Sequence, residues 1–391
     1  MCLKSYYENR SPQCFEVSGI RQNPELGPGM LFFSGGSALR AASQRLIDFT
    51  YNSVHILTPF DSGGSSAPLR QAFDMPAVGD IRNRLMALAD PCIQGNAAVL
   101  DLFGYRLPAG KPQDELRKML LDFIQVRHPL VRAVPRSFQE CVCCHLQVFF
   151  RNMPAIFDLS GASIGNLALA AAYLDNNRDM NAVISIYARL MTVRGIVRPV
   201  VQGSYHLGAY LVNGQRIVGQ HLLTGKQTPR IDSPIKSIFL TQDFDSGKPC
   251  TVQADDGVRD LISGAELICF PMGSFFTSLL AQLLPQGVAA SIQDTQCPIV
   301  FVPNTYPDPE CLGLSVQDQI EFLLRHIHQK AQRKSPKYVL MDTCLDRYSG
   351  PLNTHALCSR GVEVIQTPLI TSQSAPAIDP DCLVQGLLSL V

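Results

Sequence analysis

The run Met30-Leu31-Phe32-Phe33, closed by Ser34-Gly35-Gly36-Ser37, decides the fold. A short continuous apolar run bounded by small turn residues suits a parallel strand buried on both faces and ending in a tight turn. Leu39, Ala42, Leu46 and Ile47 then recur at helical spacing, and Val54-His55-Ile56-Leu57-Thr58 reads as the next strand, so this stretch predicts a βαβ unit. Two more turns follow. Asp61-Ser62-Gly63-Gly64-Ser65-Ser66 ends the second strand, and Gly79-Asp80 precedes Ile81, Leu85 and Leu88 at helical spacing. Three such loops place many backbone N–H groups along one edge of a sheet, where α/β folds bind ligands. Bare N–H groups at helix starts carry partial positive charge and glycine lets an anion approach, so phosphate is the natural guest.

Working outward, Leu116, Met119, Leu120, Phe123 and Ile124 have helical spacing, which predicts a helical insertion over residues 108–158. Helical periodicity resumes from Ile164 to Leu174 and from Met180 to Met191. Asn213-Gly214 lies between strand-like flanks and predicts a hairpin within a small antiparallel appendage, residues 198–240. The last third alternates again: strands at Leu267 to Phe270, Ile299 to Val302, Tyr338 to Met341 and Val362 to Ile365, with helices at Phe275 to Leu284, at Val316 to His328 and from Pro380. Residues 1–29 read as an irregular arm before a main domain of residues 30–391.

The composition narrows the class. The chain has 391 residues, 46% of them hydrophobic and 17% charged, with Lys+Arg and Asp+Glu both at 33, which describes a globular protein. Zero net charge gives no electrostatic footprint for nucleic acid, so no such partner is expected. The start has no apolar signal-peptide core, and Leu267 to Ala290 is broken by Pro271 and Pro285, so the expectation is a cytoplasmic protein with no membrane span. Thirteen irregularly spaced cysteines argue for reduced core filler over a disulfide framework. Cys141, Cys143, Cys144 and His145 contain no paired Cys-x-x-Cys knuckle, and packing is the simpler reading.

The loops resemble the CofD-like superfamily, which joins the 2-phospho-L-lactate transferases and the YvcK-type gluconeogenesis factors. The resemblance rests on the first two loops above, on Gly79-Asp80-Ile81-Arg82-Asn83, Gly161-Ala162-Ser163-Ile164-Gly165-Asn166, Val193-Arg194-Gly195 and Pro271-Met272-Gly273-Ser274, and on Asn304 at a strand end. The Gly79 to Asn83 and Gly161 to Asn166 motifs look nearer the YvcK type. What the resemblance implies is a Rossmann-like three-layer fold, a homodimer, and a GDP or UDP conjugate as ligand. One branch transfers a phospholactyl group with magnesium; the other looks like regulators that bind nucleotide sugars. Two departures stand out: Ala38 replaces a further glycine of the first loop, and the helical insertion occupies a stretch where YvcK-type chains look short.

The candidate site follows. Asp61, at a strand end, could hold magnesium as a hard oxygen ligand and act in catalysis, or could stabilise its own turn. Gly35, Gly36, Ser37, Gly63, Gly64, Ser65 and Ser66 are expected to cradle phosphate. Asp80 reads as the cap of a helix beginning at Ile81. Arg82 and Asn83 sit in that helix's first turn, where a cation makes better sense beside a bound anion. Gly161, Ser163, Asn166, Arg194, Gly273, Ser274 and Asn304 join the phosphate-binding set through the resemblance. The expected reaction is a transfer driven by positioning and electrostatics; the rival expectation is a non-catalytic sensor.

Overall fold

The computed structural model describes residues 23–225, 228–327 and 336–391. Most of the expected N-terminal arm, residues 1–22, falls outside them. Ten strands run through the described chain: β1 Met30–Ser34, β2 Val54–Leu57, β3 Ile196–Pro199, β4 His206–Leu211, β5 Arg216–Val218, β6 Ile235–Thr241, β7 Leu267–Phe270, β8 Ile299–Phe301, β9 Lys337–Met341 and β10 Val362–Gln366. Seven form a parallel sheet in the order β10-β9-β8-β7-β1-β2-β3. All five residues of β1 are buried. Leu31 and Phe33 face one core and Met30 and Phe32 the other, so the strand's continuous apolar character reflects helices on both faces. Each such side chain contributes about 1.5–3 kcal/mol on burial.

The chain lays β2 and β3 to one side of β1 and β7 to β10 to the other. Strand order therefore reverses between β1 and β7, the switch point at which α/β sheets open a crevice. β4, β5 and β6 make a separate antiparallel sheet in the order β5-β4-β6, with Gly214 at φ +89° in the Asn-Gly turn between its first two strands.

Helices Gln113–Ile124, Pro129–Ala133 and Arg136–Asn152 occupy the predicted insertion. Leu116, Leu120 and Phe123 of the first meet Val142, Leu146 and Phe149 of the third in a core shared with helix Ile164–Asp175. Cys143 donates to Phe123 O at 3.5 Å, and His145 Nδ1 lies 2.7 Å from Tyr187 Oη, so this cluster is engaged in packing.

Two local expectations need correction. Phe275 to Leu284 is not one α-helix: a π-helical turn, Phe275–Leu279, passes into a 3₁₀ turn, Leu280–Leu283. Gln282 ties this segment to the first loop by donating to Ser34 O at 3.1 Å, and π-turns of this kind concentrate at functional sites. Asp80 is not a helix cap, because the helix already begins at Gly79 with Val78 as its N-cap. Its carboxylate lies against Gly36 instead: a Cβ on Gly36 would stand 2.8 Å from the Asp80 Cα and closer still to Oδ1.

Candidate functional site

The loops after β1, β2, β7 and β8 converge on a cleft of about 510 Å³. Gly35, Gly36, Ser37 and Ala38 form one wall, and Asp61, Gly63, Gly64, Ser65 and Ser66 a second. Gly79, Asp80, Arg82, Asn83 and Asn166 close the floor, while Gly273, Ser274 and Asn304 face the first loop. The fold thus gathers most of the sequence-predicted residues into one place. Gly161 and Ser163 line an adjoining space instead, and Arg194 lies away from both, which is a correction. It precedes β3, at the opposite edge of the sheet, where its backbone N–H donates to Leu88 O and its guanidinium pairs with Asp90 at 3.0 Å and stacks over Tyr51.

The backbone N–H groups of Gly36, Ser37 and Ala38 have no acceptor among the described residues, as a phosphate cradle requires. The methyl of Ala38 lies 3.8 Å from where a Cβ on Gly273 would stand, so the residue that replaces a glycine fits opposite a glycine. From beneath, the fully buried Arg84 donates to Gly35 O at 2.7 Å, Ser34 Oγ at 3.1 Å and Leu39 O at 3.4 Å, and also to Ser43 Oγ. Sequence reading missed Arg84. Next to Arg82 and Asn83 it looks like one more helix-surface charge, and only the packing of helix Gly79–Leu88 under β1 shows otherwise.

Arg82 donates to Ser163 Oγ and to Asn83 Oδ1 at 2.9 Å. Arg70, behind the second loop, donates to the carbonyls of Phe60 and Asp61, both at 3.1 Å. Arg70, Arg82 and Arg84 therefore give their hydrogen bonds to neutral oxygens. Burial pulls all three guanidinium groups down to about 10, helped at Arg82 by the positive charges of Arg106 and Arg40, yet they stay protonated at neutral pH. The charges of Asp80, near Arg82 and Arg84, and of Asp61 and Asp74, near Arg70, oppose that pull only in part, and a bound anion would offset more of the cost of burying these cations.

Asp61 Oδ1 accepts from Gly63 N at 3.0 Å, so it does stabilise its own turn. The Asp80 and Asp308 carboxylates line the same cleft. Among the described residues no group of three His, Cys, Asp or Glu side chains could hold a metal unaided. His221 enters from the appended sheet, its Nδ1 2.8 Å from Ser62 Oγ. No sequence signal marked it, since its helix is a single turn, Gln220–Thr224.

The Gly273-Ser274 turn supplies shape where donors were expected. Gly273 N donates to Asn304 Oδ1 at 2.9 Å and Asn304 Nδ2 returns a bond to Gly273 O at 2.7 Å, so Asn304 holds the turn. Asp308 accepts from Phe275 N at 2.8 Å, and the buried Glu310 accepts from Phe276 N at 3.0 Å and Thr277 N at 2.8 Å. Burial, with the neighbouring Asp308, raises the Glu310 carboxyl to about 7. A carboxyl whose folded value lies above its unfolded value stabilises below the unfolded value and loses that contribution as pH rises through the folded one. Glu310→Gln keeps an acceptor for these amides. The melting temperature of the natural protein, relative to that of Glu310→Gln, is expected to fall between pH 5 and pH 8; parallel pH profiles would refute the assignment.

A second chamber of about 260 Å³ adjoins the cleft where the insertion returns to the main domain. Gly64, Ser65, Arg106 and Asn166 line both spaces; Phe157, Asp158, Gly161 and Ser163 line the second alone. Asn166 Nδ2 donates to Ser65 Oγ at 2.9 Å, leaving its buried Oδ1 without a protein donor.

This parallel α/β sheet, with glycine loops gathered where strand order reverses, defines a Rossmann-like protein with a loop-built cleft at its switch point. The chain belongs to the CofD family, whose profile, described as 2-phospho-L-lactate transferase CofD, matches residues 30–370. The Gluconeogenesis factor of Bacillus subtilis is 27% identical over 77% of this chain and 75% of its own length. A relative from Nostoc sp. is 28% identical over 75% of this chain, a match that spans 51% of that longer protein. A crystal structure of a UPF0052-family protein from Bacillus halodurans shares the fold, with a TM-score of 0.66, 22% identity and coverage of 93% of this chain and 99% of its own. Among the described residues no helix is long and apolar enough to cross a membrane.

Proposed function

We propose that the cleft binds the diphosphate of a GDP or UDP conjugate together with magnesium, and that the protein transfers a phosphorus-containing group from that conjugate to an acceptor. The observation that carries this reading is the set of buried guanidinium groups that hydrogen-bond only to neutral oxygens around a loop whose three N–H groups have no acceptor among the described residues. The loop amides and Arg82 would hold phosphate oxygens, and Asp61 would hold the metal. Magnesium, when bound, would neutralise charge on the diphosphate. The second chamber would seat the acceptor beside the reacting group, so that catalysis comes from positioning and fixed charge. A second reading is a non-catalytic regulator that binds a nucleotide sugar; the relatives' name, gluconeogenesis factor, names no transferase, and a homodimer is compatible with either.

Thermal shift against GDP, UDP, UDP-sugars and pyrophosphate, with and without magnesium, tests the shared part of both readings. Magnesium alone is expected to give no shift, and magnesium with a diphosphate ligand a clear one; no shift with any of these ligands would count against the cleft. Asp61→Asn retains the acceptor for Gly63 N. It is expected to leave the melting temperature of the free protein nearly unchanged while weakening magnesium-dependent binding by roughly 10- to 100-fold. Consumption of a bound conjugate on prolonged incubation with magnesium and acceptors would identify the transferase, and its survival intact the regulator.

A further inference from the structure

We propose that Tyr306 is the platform on which the base of the bound nucleotide stacks. This rests on the reading above that the cleft holds a nucleoside diphosphate, and adds how the nucleoside end is recognised. Tyr306 lines the cleft and is 50% exposed. It carries the only phenyl-type ring among the described residues of the cleft wall; the other aromatic ring there is His221.

The ring cannot withdraw easily, because the loop after β8 is fastened on both sides of it. Asn304 makes its paired hydrogen bonds with the Gly273 turn, Thr305 Oγ1 donates to Pro376 O at 2.8 Å, and Asp308 accepts from Phe275 N. A large aromatic side chain is thus presented to solvent by a rigid loop, as a stacking surface is. Its placement also matches the length of the ligand. β8 lies two strands from β1 in the sheet, and with neighbours about 4.8 Å apart the ends of these two strands stand roughly 10 Å from each other. A ribose separates a diphosphate from its base over a distance of that order.

The chain contains no tryptophan, so Tyr306→Trp creates a protein with a single tryptophan at the platform. Titration of that variant with GDP, UDP and ADP in the presence of magnesium is expected to quench its fluorescence, whereas pyrophosphate is expected to raise the melting temperature with no quenching. Tyr306→Ala is expected to weaken nucleotide binding by about 5- to 150-fold and Tyr306→Phe by less than about 3-fold, with pyrophosphate affinity unchanged in both. Nucleotides that stabilise the natural protein yet neither quench the tryptophan variant nor lose affinity for Tyr306→Ala would overturn the platform and leave the diphosphate reading standing. Equal weakening of pyrophosphate by Tyr306→Ala would overturn it too, showing that the ring acts through loop shape. If neither nucleotides nor pyrophosphate stabilise the natural protein, the diphosphate reading fails and the platform with it.

Discussion

Arg84→Ala is expected to destabilise the protein by about 3–5 kcal/mol, seen as a marked drop in melting temperature, and to abolish diphosphate binding. The side chain is fully buried, and its removal leaves Gly35 O without its donor and a cavity beneath the first loop. Arg84→Lys should recover little, since one ammonium cannot serve Gly35, Ser34 and Leu39 with the fork geometry of a guanidinium. A melting temperature for Arg84→Ala close to that of the natural protein would show that the loop holds its shape without the arginine.

Gly36→Ala has the second large effect, and its cause is contact rather than backbone conformation. The added Cβ would press on Asp80, whose Cα it approaches to 2.8 Å, and backbone on both sides must move to admit it. Overpacking of this kind costs about 1–3 kcal/mol. The displaced loop no longer aims the N–H groups of Gly36, Ser37 and Ala38 at one point, so diphosphate affinity should fall by roughly 100-fold or more. Gly161→Ala is the matched control. Gly161 has φ +67° with nothing within 4 Å of an added Cβ, so that variant should lose only about 1 kcal/mol of stability and keep its diphosphate affinity. Isothermal titration with pyrophosphate separates the two; equal affinities for both variants would remove the first loop from the cradle.

Much of this arrangement can be read from local sequence because local physics sets it. Met30 to Phe33 had to be a doubly buried strand, and the small residues after it had to turn. Asn213-Gly214 had to close a hairpin. The residues that could not be read act across the chain. Arg84 matters because a helix packs beneath β1, and Asn304, singled out only through the resemblance, holds the Gly273 turn because β8 lies beside β7. Glu310 matters because a distant turn caps Phe276 and Thr277. Arg194 misled for the same reason: its motif resembles a ligand loop, but the fold puts it at the amino end of β3. The Phe275 to Leu284 segment shows helical periodicity, and periodicity cannot distinguish an α-helix from a π-turn followed by a 3₁₀ turn.

The two chambers are made from different parts of the chain. The cradle is built almost wholly from loops of the central sheet, which cannot shift without disturbing the core, whereas much of the second chamber's wall is the end of the insertion and the segment that follows it, residues 157–163. If the cleft holds a diphosphate as proposed, changes to the segment that returns at residues 157–163 would reshape the space beside it while leaving the loops that hold it in place. On that reading the molecule would separate a fixed handle from an interchangeable tool, so that new partner molecules could be explored by changing one surface-attached block at little risk to the rest.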